Sequence, residues 1–209
     1  MRIDAIHAPF LLVTRRVWGA EPTGKIYRAV HLAEEVGAPL VVIHPPYVWQ
    51  VRFRRWAQEN LAEFSERTGV TVAVENMFPI RLRGDRGLRF HASQDLEDID
   101  RFPHLVLDTS HAAVSNLDIR EFYGQYRDRI RHVHLSNNAG KGWDSHLPVH
   151  QDGVLPLGEF LGDLAADGFT GSVSLELDLR PWMQDEDELR GVLVQNREFC
   201  ERRLSVARA

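Results

Sequence analysis

One cysteine in 209 residues, Cys200, leaves no partner for an intrachain disulfide and no thiolate set for a cysteine zinc knuckle. No apolar run approaches the roughly 18 residues that a membrane-spanning helix needs. The N-terminal MRIDAIHAPF has no apolar stretch of signal-peptide length before a small-residue cleavage site, so a cytoplasmic protein without membrane contact is expected. Positive charge is not in excess: 25 Lys and Arg against 30 Asp and Glu give a net charge of −5. That balance argues against a nucleic-acid binder, whose phosphate contacts usually leave a basic excess. A glycine-rich dinucleotide fingerprint and a phosphate-cradling P-loop are both absent, so no nucleotide cofactor is expected. Internal repeats, low-complexity tracts and linkers are missing too, and one domain over residues 1–209 is the simplest organisation.

What is there is histidine: ten of them, in a chain whose 44% hydrophobic and 26% charged residues are otherwise ordinary for a globular domain. Imidazole is the commonest metal-binding side chain and a general acid or base near neutrality. Its position relative to the predicted elements decides which role is open.

Short β-rich runs alternate with helical patterns, which predicts an α/β fold with a parallel sheet. Strands are expected over 2–7, 40–44, 70–75, 104–108, 130–134 and 172–177, with a weaker one near 145–150. Runs such as LVVIH and VTVAVE are almost continuously apolar or β-branched, as suits strands covered on both faces. Helices are expected over 23–36, 50–68, 117–129 (capped by Asn116), 156–167 and 185–203, with a short one over 93–100. The stretch 78–90 reads as a loop and carries Arg81, Arg83, Arg86 and Arg89.

Potential ligands sit at the predicted strand ends: His7, His44, Glu75, Asp108 with His111 just after, His134, and Glu176. In a parallel barrel those ends converge on one face, where active sites lie. An unpaired buried carboxylate is costly, so carboxylates at such positions call for a cation, a partner or a proton. A mixed imidazole and carboxylate set suits Zn, Mn, Fe or Co better than Ca. The remaining histidines read as structural: His31 in a helix, His91, His104 and His150 outside the strand ends, and His132 one layer deeper than His134. Trp49, Trp143 and Trp182 follow strand ends and could stack on sugar faces or simply pack loops. Cys200 reads as a packed small residue rather than a nucleophile.

The phrases HAPFLL, VVIHPP, VAVENM, LVLDTSH, HVHLSN, WDSHLP and SLEL, in this order over residues 7–177, resemble the xylose-isomerase-like TIM-barrel superfamily. That superfamily holds sugar isomerases and epimerases, inosose-processing enzymes and endonuclease IV. The resemblance implies a (β/α) barrel in which His7 ends the second strand, so that the first strand and its helix are lacking. Either a partner chain covers the gap, the C-terminal helix does, or this start is not the natural one; some self-association, as a homo-oligomer, is expected.

For the isomerase branch the resemblance implies one divalent ion held by Glu75, Asp108, His134 and Glu176, with Zn or Mn favoured over Co or Mg. Glu75 and Glu176 would move a proton on and off carbon through an enediolate, and His111 would contact the substrate. The substrate would be a sugar or sugar phosphate, with Lys141 or the arginine-rich loop holding a phosphate or hydroxyl. The alternative is an endonuclease IV-like zinc phosphodiesterase acting on abasic DNA. Its larger ligand set would add His7, His44, His111, Asp144 and His146. The negative charge, the shorter chain and the basic phrase HLSNNAGKGWDSH favour the isomerase or epimerase branch.

Overall fold

The computed structural model describes residues 2–10, 14, 16–81, 87–88, 91 and 99–205. Most of the arginine-rich loop, Arg15 and nearly all of the helix expected over 93–100 lie outside the described residues. The chain clusters into two compact units. One is Met1–Leu107 with Asp128–His132; the other is Asp108–Arg127 with Val133–Ala209.

The first unit alternates strand and helix. β1 (Ile6–His7) leads to α1 (Pro22–Val36), β2 (Leu40–Ile43), α2 (Val51–Thr68) and β3 (Thr71–Glu75). Local chemistry sets the boundaries of α1. Glu21 caps it by accepting from the Thr23 and Gly24 amides, and Pro22 tolerates the first helical position because its missing N–H would be unsatisfied there anyway. Gly37 stops the helix in the left-handed region at φ 71°, a conformation that costs glycine nothing. The buried faces of α1 (Ile26, Ala29, Val30, Ala33) and α2 (Phe53, Ala57, Leu61, Phe64) recur at helical spacing.

β2 is buried along its whole length, and Val72, Ala73 and Val74 of β3 have zero exposure. That is the pattern of parallel strands covered on both faces. The register is parallel throughout: Ile6 opposite Val41, Val41 opposite Val72, and Glu75 opposite Val106. A two-residue antiparallel ladder, β4 (Ile80–Arg81) with β5 (Gly87–Leu88), follows β3. β6 (Leu105–Asp108) and the start of β7 (Ile130–Leu135) continue the parallel order, and the Leu105 amide donates to the Arg129 carbonyl at 2.9 Å.

The second unit begins where β6 ends. The Asp108 side chain caps the short helix α3 (Thr109–Val114), accepting from the His111 amide at 2.7 Å. The helix expected over 117–129 is shorter, and its cap is not Asn116. Asn116 lies in the left-handed region at φ 56°, which carries the chain out of α3. Asp118 caps α4 (Ile119–Tyr126) instead, accepting from the amides of Arg120 and Glu121 at 2.8 and 3.1 Å.

The strand expected over 145–150 is not formed. Leu147 makes one antiparallel bridge to Asn137. His146 at φ 41° and Pro148, which has no amide to donate, prevent an extended ladder there. α5 (Leu157–Ala166), β8 (Ser172–Leu175), a short 3-10 turn (Arg180–Trp182) and α6 (Glu186–Ser205) complete the unit. β8 is half exposed along its length, unlike the buried β2 and β6.

Candidate metal centre

The strand ends deliver the side chains that the chemistry needs. His7 and Glu75 are the last residues of β1 and β3, and His44 follows β2 directly. Asp108 ends β6, His134 is the penultimate residue of β7, and Glu176 follows β8. Because side chains alternate along a strand, one residue of slip would turn each donor to the other face.

In the first unit Glu75 is the focus. Its Oε2 lies 3.2 Å from His7 Nε2 and 3.3 Å from His44 Nε2, and its side chain is 1% exposed. Ligand atoms of His7, His44 and Glu75 fall within 4.8 Å of one another. The His7 and His44 rings meet edge to face at 5.0 Å. Behind them stands His91, its ring 6.0 Å from His44 and 4.4 Å from Tyr47, with Nδ1 anchored 2.7 Å from the Pro45 carbonyl.

In the second unit the donors are denser. His134 Nδ1 lies 2.8 Å from Glu176 Oε2 and 3.7 Å from Asp108 Oδ2, and Asp108 is completely buried. Ligand atoms of Asp108, His134 and Glu176 lie within 4.8 Å of one another, and so do those of Asp108, His111 and His146. Asp144 bridges the second group. Its Oδ2 is 2.7 Å from His146 Nε2 and 3.3 Å from His111 Nε2, and its Oδ1 accepts from the Ser110 hydroxyl at 2.6 Å. Burial pushes the Asp144 carboxyl up, but the hydrogen bonds and charges of His111 and His146 outweigh it and hold it well below the usual carboxylate range. Burial draws His146 down, yet the Asp144 hydrogen bond and the Asp108, Asp144 and Glu176 carboxylates raise it.

His146 is held in a backbone region that L-residues avoid, at φ 41°. Such strain costs on the order of 1–3 kcal/mol and persists where the surroundings over-determine it. Here they do: the His146 ring pairs with Asp144, and its Nδ1 lies 3.1 Å from both Ser136 Oγ and the Glu176 carbonyl. Its own carbonyl accepts from the Asp178 amide at 2.8 Å.

The donor set fits a divalent cation. Three carboxylates (Asp108, Asp144, Glu176) converge with three imidazoles, and one of those carboxylates has no solvent contact. Without a cation or a proton, keeping Asp108 buried beside two further carboxylates is expensive. Nitrogen and oxygen donors in this mixture suit first-row divalent metals.

Each residue named from the sequence as a candidate ligand therefore falls into one of these clusters. His31, by contrast, is solvent-exposed beside Glu34 and Glu35, and Lys141 is exposed in the loop after β7. Cys200 is a partly buried thiol whose pKa burial pushes up to about 11, which suits packing rather than nucleophilic attack. Sequence reasoning missed His91 and Tyr47, which back the first cluster. It also missed Ser110, Ser136 and Asn138, which orient the second: Asn138 Nδ2 donates to the Ser110 hydroxyl at 2.9 Å. The polar triplets directly after β6 (TSH) and β7 (SNN) were the available signal.

Comparison with known proteins agrees with this architecture. A family model described as xylose isomerase-like TIM barrel matches residues 18–197. An uncharacterised protein of Mycobacterium tuberculosis (strain ATCC 25618 / H37Rv) is 33% identical over 218 residues, covering 94% of this chain and 76% of that protein. An uncharacterised protein of Mycobacterium leprae (strain TN) is 35% identical over 195 residues, covering 83% of this chain and 68% of that one.

Among solved structures, an L-ribulose 3-epimerase aligns with a TM-score of 0.67 at 19% identity, covering 98% of this chain and 75% of that one. A D-tagatose 3-epimerase-like protein gives 0.64 at 22% identity, with 97% and 80% covered. A D-psicose 3-epimerase from Clostridium cellulolyticum H10, solved with D-tagatose, gives 0.62 at 17% identity, with 98% and 79% covered. At these identities the likeness establishes the fold, an incomplete TIM-type barrel whose described residues supply six parallel strands.

Proposed function

The chain belongs to the xylose isomerase-like TIM-barrel family, and on that premise we propose that it is a divalent-metal-dependent isomerase or epimerase of a sugar or sugar phosphate. The observation that carries this reading is the convergence of Asp108, His134 and Glu176 at three strand ends, with ligand atoms within 4.8 Å of one another. These three would hold the ion, with Glu75 as the fourth ligand that the family resemblance implies.

When bound, the ion supplies Lewis-acid polarisation of a substrate carbonyl and a grip on two adjacent oxygens. The chain's own groups do the proton work. The Glu176 side chain is 44% exposed, so a carbon-bound proton can reach it, and its contact with His134 keeps it oriented. Glu75, buried and beside two imidazoles, is the second carboxylate and gives a proton of its own to the carbon, while Glu176, reachable by solvent, releases the one it took. His111, fixed by Asp144, donates to a substrate oxygen.

The test is metal content followed by exchange. Protein purified without chelator should hold about one divalent ion per chain, and ketoses should exchange a carbon-bound proton with solvent deuterium. Glu176→Gln should lower that exchange by roughly 10²–10⁴-fold, the usual worth of a positioned proton-transfer group. Full exchange in that variant would refute the two-glutamate mechanism.

A second reading rests on the further groups His7–His44–Glu75 and Asp108–His111–His146. It is an endonuclease IV-like zinc phosphodiesterase acting on abasic DNA. Two or three zinc ions per chain, and abasic-duplex incision lost in His7→Ala, would favour it over the isomerase.

A further inference from the structure

Beyond the ends of β1 and β2, the first unit contains a cavity of about 410 Å³ lined by Phe10, Pro22, Lys25, Tyr47, Trp49 and Gln50. Taking the substrate to be a sugar, as proposed above, we infer that this cavity receives an anionic end of that sugar, a phosphate or a carboxylate, with Lys25 as its counter-charge.

Lys25 is the unusual group. It sits on α1, and only 4% of it is exposed. Its ammonium donates to the Pro9 carbonyl at 2.5 Å and to the Thr14 carbonyl at 3.0 Å. Those are two neutral acceptors for a group with three N–H donors. Among the described residues no carboxylate pairs with it, and burial alone lowers its pKa. A buried cation is stabilised chiefly by an anion, and among the described residues its hydrogen-bond partners are two backbone carbonyls.

The rest of the lining suits a sugar. Gln50 accepts from the Tyr47 amide through Oε1 at 3.0 Å, so its NH₂ is the end left to donate. Tyr47 is fixed by its hydroxyl, which donates to the Phe10 carbonyl at 3.1 Å, and by stacking on Trp49 with centroids 4.8 Å apart and planes 1° from parallel. Trp49 is 55% exposed and offers a rigid aromatic face at the cavity rim. The volume lies within the range of small-ligand pockets.

The cavity also adjoins the first donor cluster. Phe10 stands three residues after His7, and Tyr47 three after His44. Tyr47 stacks on His91, which meets His44 edge to face. Ring contacts thus run from the imidazoles beside Glu75 through His91 to Tyr47, which lines the cavity with Lys25.

The experiment is a fluorescence titration of the metal-free protein through its tryptophans, with D-ribose 5-phosphate, D-gluconate and neutral D-ribose as probes. At least one anionic probe should bind about tenfold or more tightly than ribose, with the preference shrinking as salt rises. The phosphate and carboxylate arms identify which anion the cavity takes. Lys25→Met should abolish the preference and Lys25→Arg should retain it. Lys25 also ties down the Pro9 and Thr14 backbone, so Gln50→Glu provides a test that leaves that tie intact. It keeps the oxygen that accepts from Tyr47, adds negative charge beside the ligand, and should weaken anionic probes while sparing ribose.

Equal affinity for ribose and both anions, or a preference that survives both Lys25→Met and Gln50→Glu, overturns the assignment. The readout does not need turnover. An anion preference with no proton exchange on any sugar would leave the subsite standing and remove the isomerase reading. Exchange on neutral sugars with KM unchanged in Lys25→Met would do the opposite.

Discussion

The two donor clusters contain the same side-chain types in different proportion. In the first unit one carboxylate, Glu75, serves two imidazoles, His7 and His44. In the second, three carboxylates meet three imidazoles. A single carboxylate between two histidines can be satisfied by one shared proton. Three converging carboxylates, with Asp108 fully buried, require more positive charge than neutral imidazoles provide. The second cluster is therefore the one that most needs a cation, and the first is better suited to orientation and proton transfer.

The largest test of that contrast is Asp108→Asn against His44→Ala. Asp108→Asn should weaken metal retention by at least about 100-fold, because it removes a buried anionic donor. His44→Ala should leave about one ion per chain. Both are read by elemental analysis after dialysis, and equal losses in the two variants would end the distinction.

A smaller effect should appear in the pH dependence of the metal-free protein. Asp144 is depressed in the fold, so its contribution is present above the unfolded carboxylate pKa near ~3.9 and fades as pH falls through the folded value. His146 is raised, so its contribution is complete below the unfolded value near ~6.5 and fades as pH rises through the folded one. The pair therefore adds most stability between about pH 4 and 6.5. Asp144→Asn should flatten a Tm-versus-pH curve in that window, at roughly 2–4 °C per kcal/mol lost. An unchanged curve would mean that the pair adds no stability.

Self-association is the smallest expected effect. β8 carries Leu175 at 37% exposure, and α6 carries Leu193 and Val194 at 41% and 37%. Half-exposed strands and apolar helix faces favour a second copy. Light scattering at high concentration should show a homo-oligomer, and a clean monomer there would argue against one.

Much of this was legible along the chain because the main signals are local. LVVI and VTVAVE are apolar in a period that only a doubly covered strand satisfies, and the donors sit one residue inside or beyond such runs. Boundaries failed where a single backbone angle decided them. Asn116 and His146 both adopt positive φ, which ended one expected helix arrangement and one expected strand. Asn and His are both enriched at positive φ, but residue type alone does not say which of them adopts it. His91 was read as structural because nothing adjacent in sequence marks it. Its role beside His44 and Tyr47 depends on a bridge to a strand end more than 40 residues earlier in the chain.

The sequence by itself determined the βα alternation, the glycine stops of the first two long helices at Gly37 and Gly69, and the donor at each strand end. Periodicity, capping and residue chemistry act within a few residues of one another. Only the tertiary structure decided which imidazole faces which carboxylate, that Asp144 serves both His111 and His146, and that Lys25 lies buried against two backbone carbonyls. Those outcomes depend on distances between segments far apart in the chain, and on burial, which converts an ordinary charge into one that must find a partner.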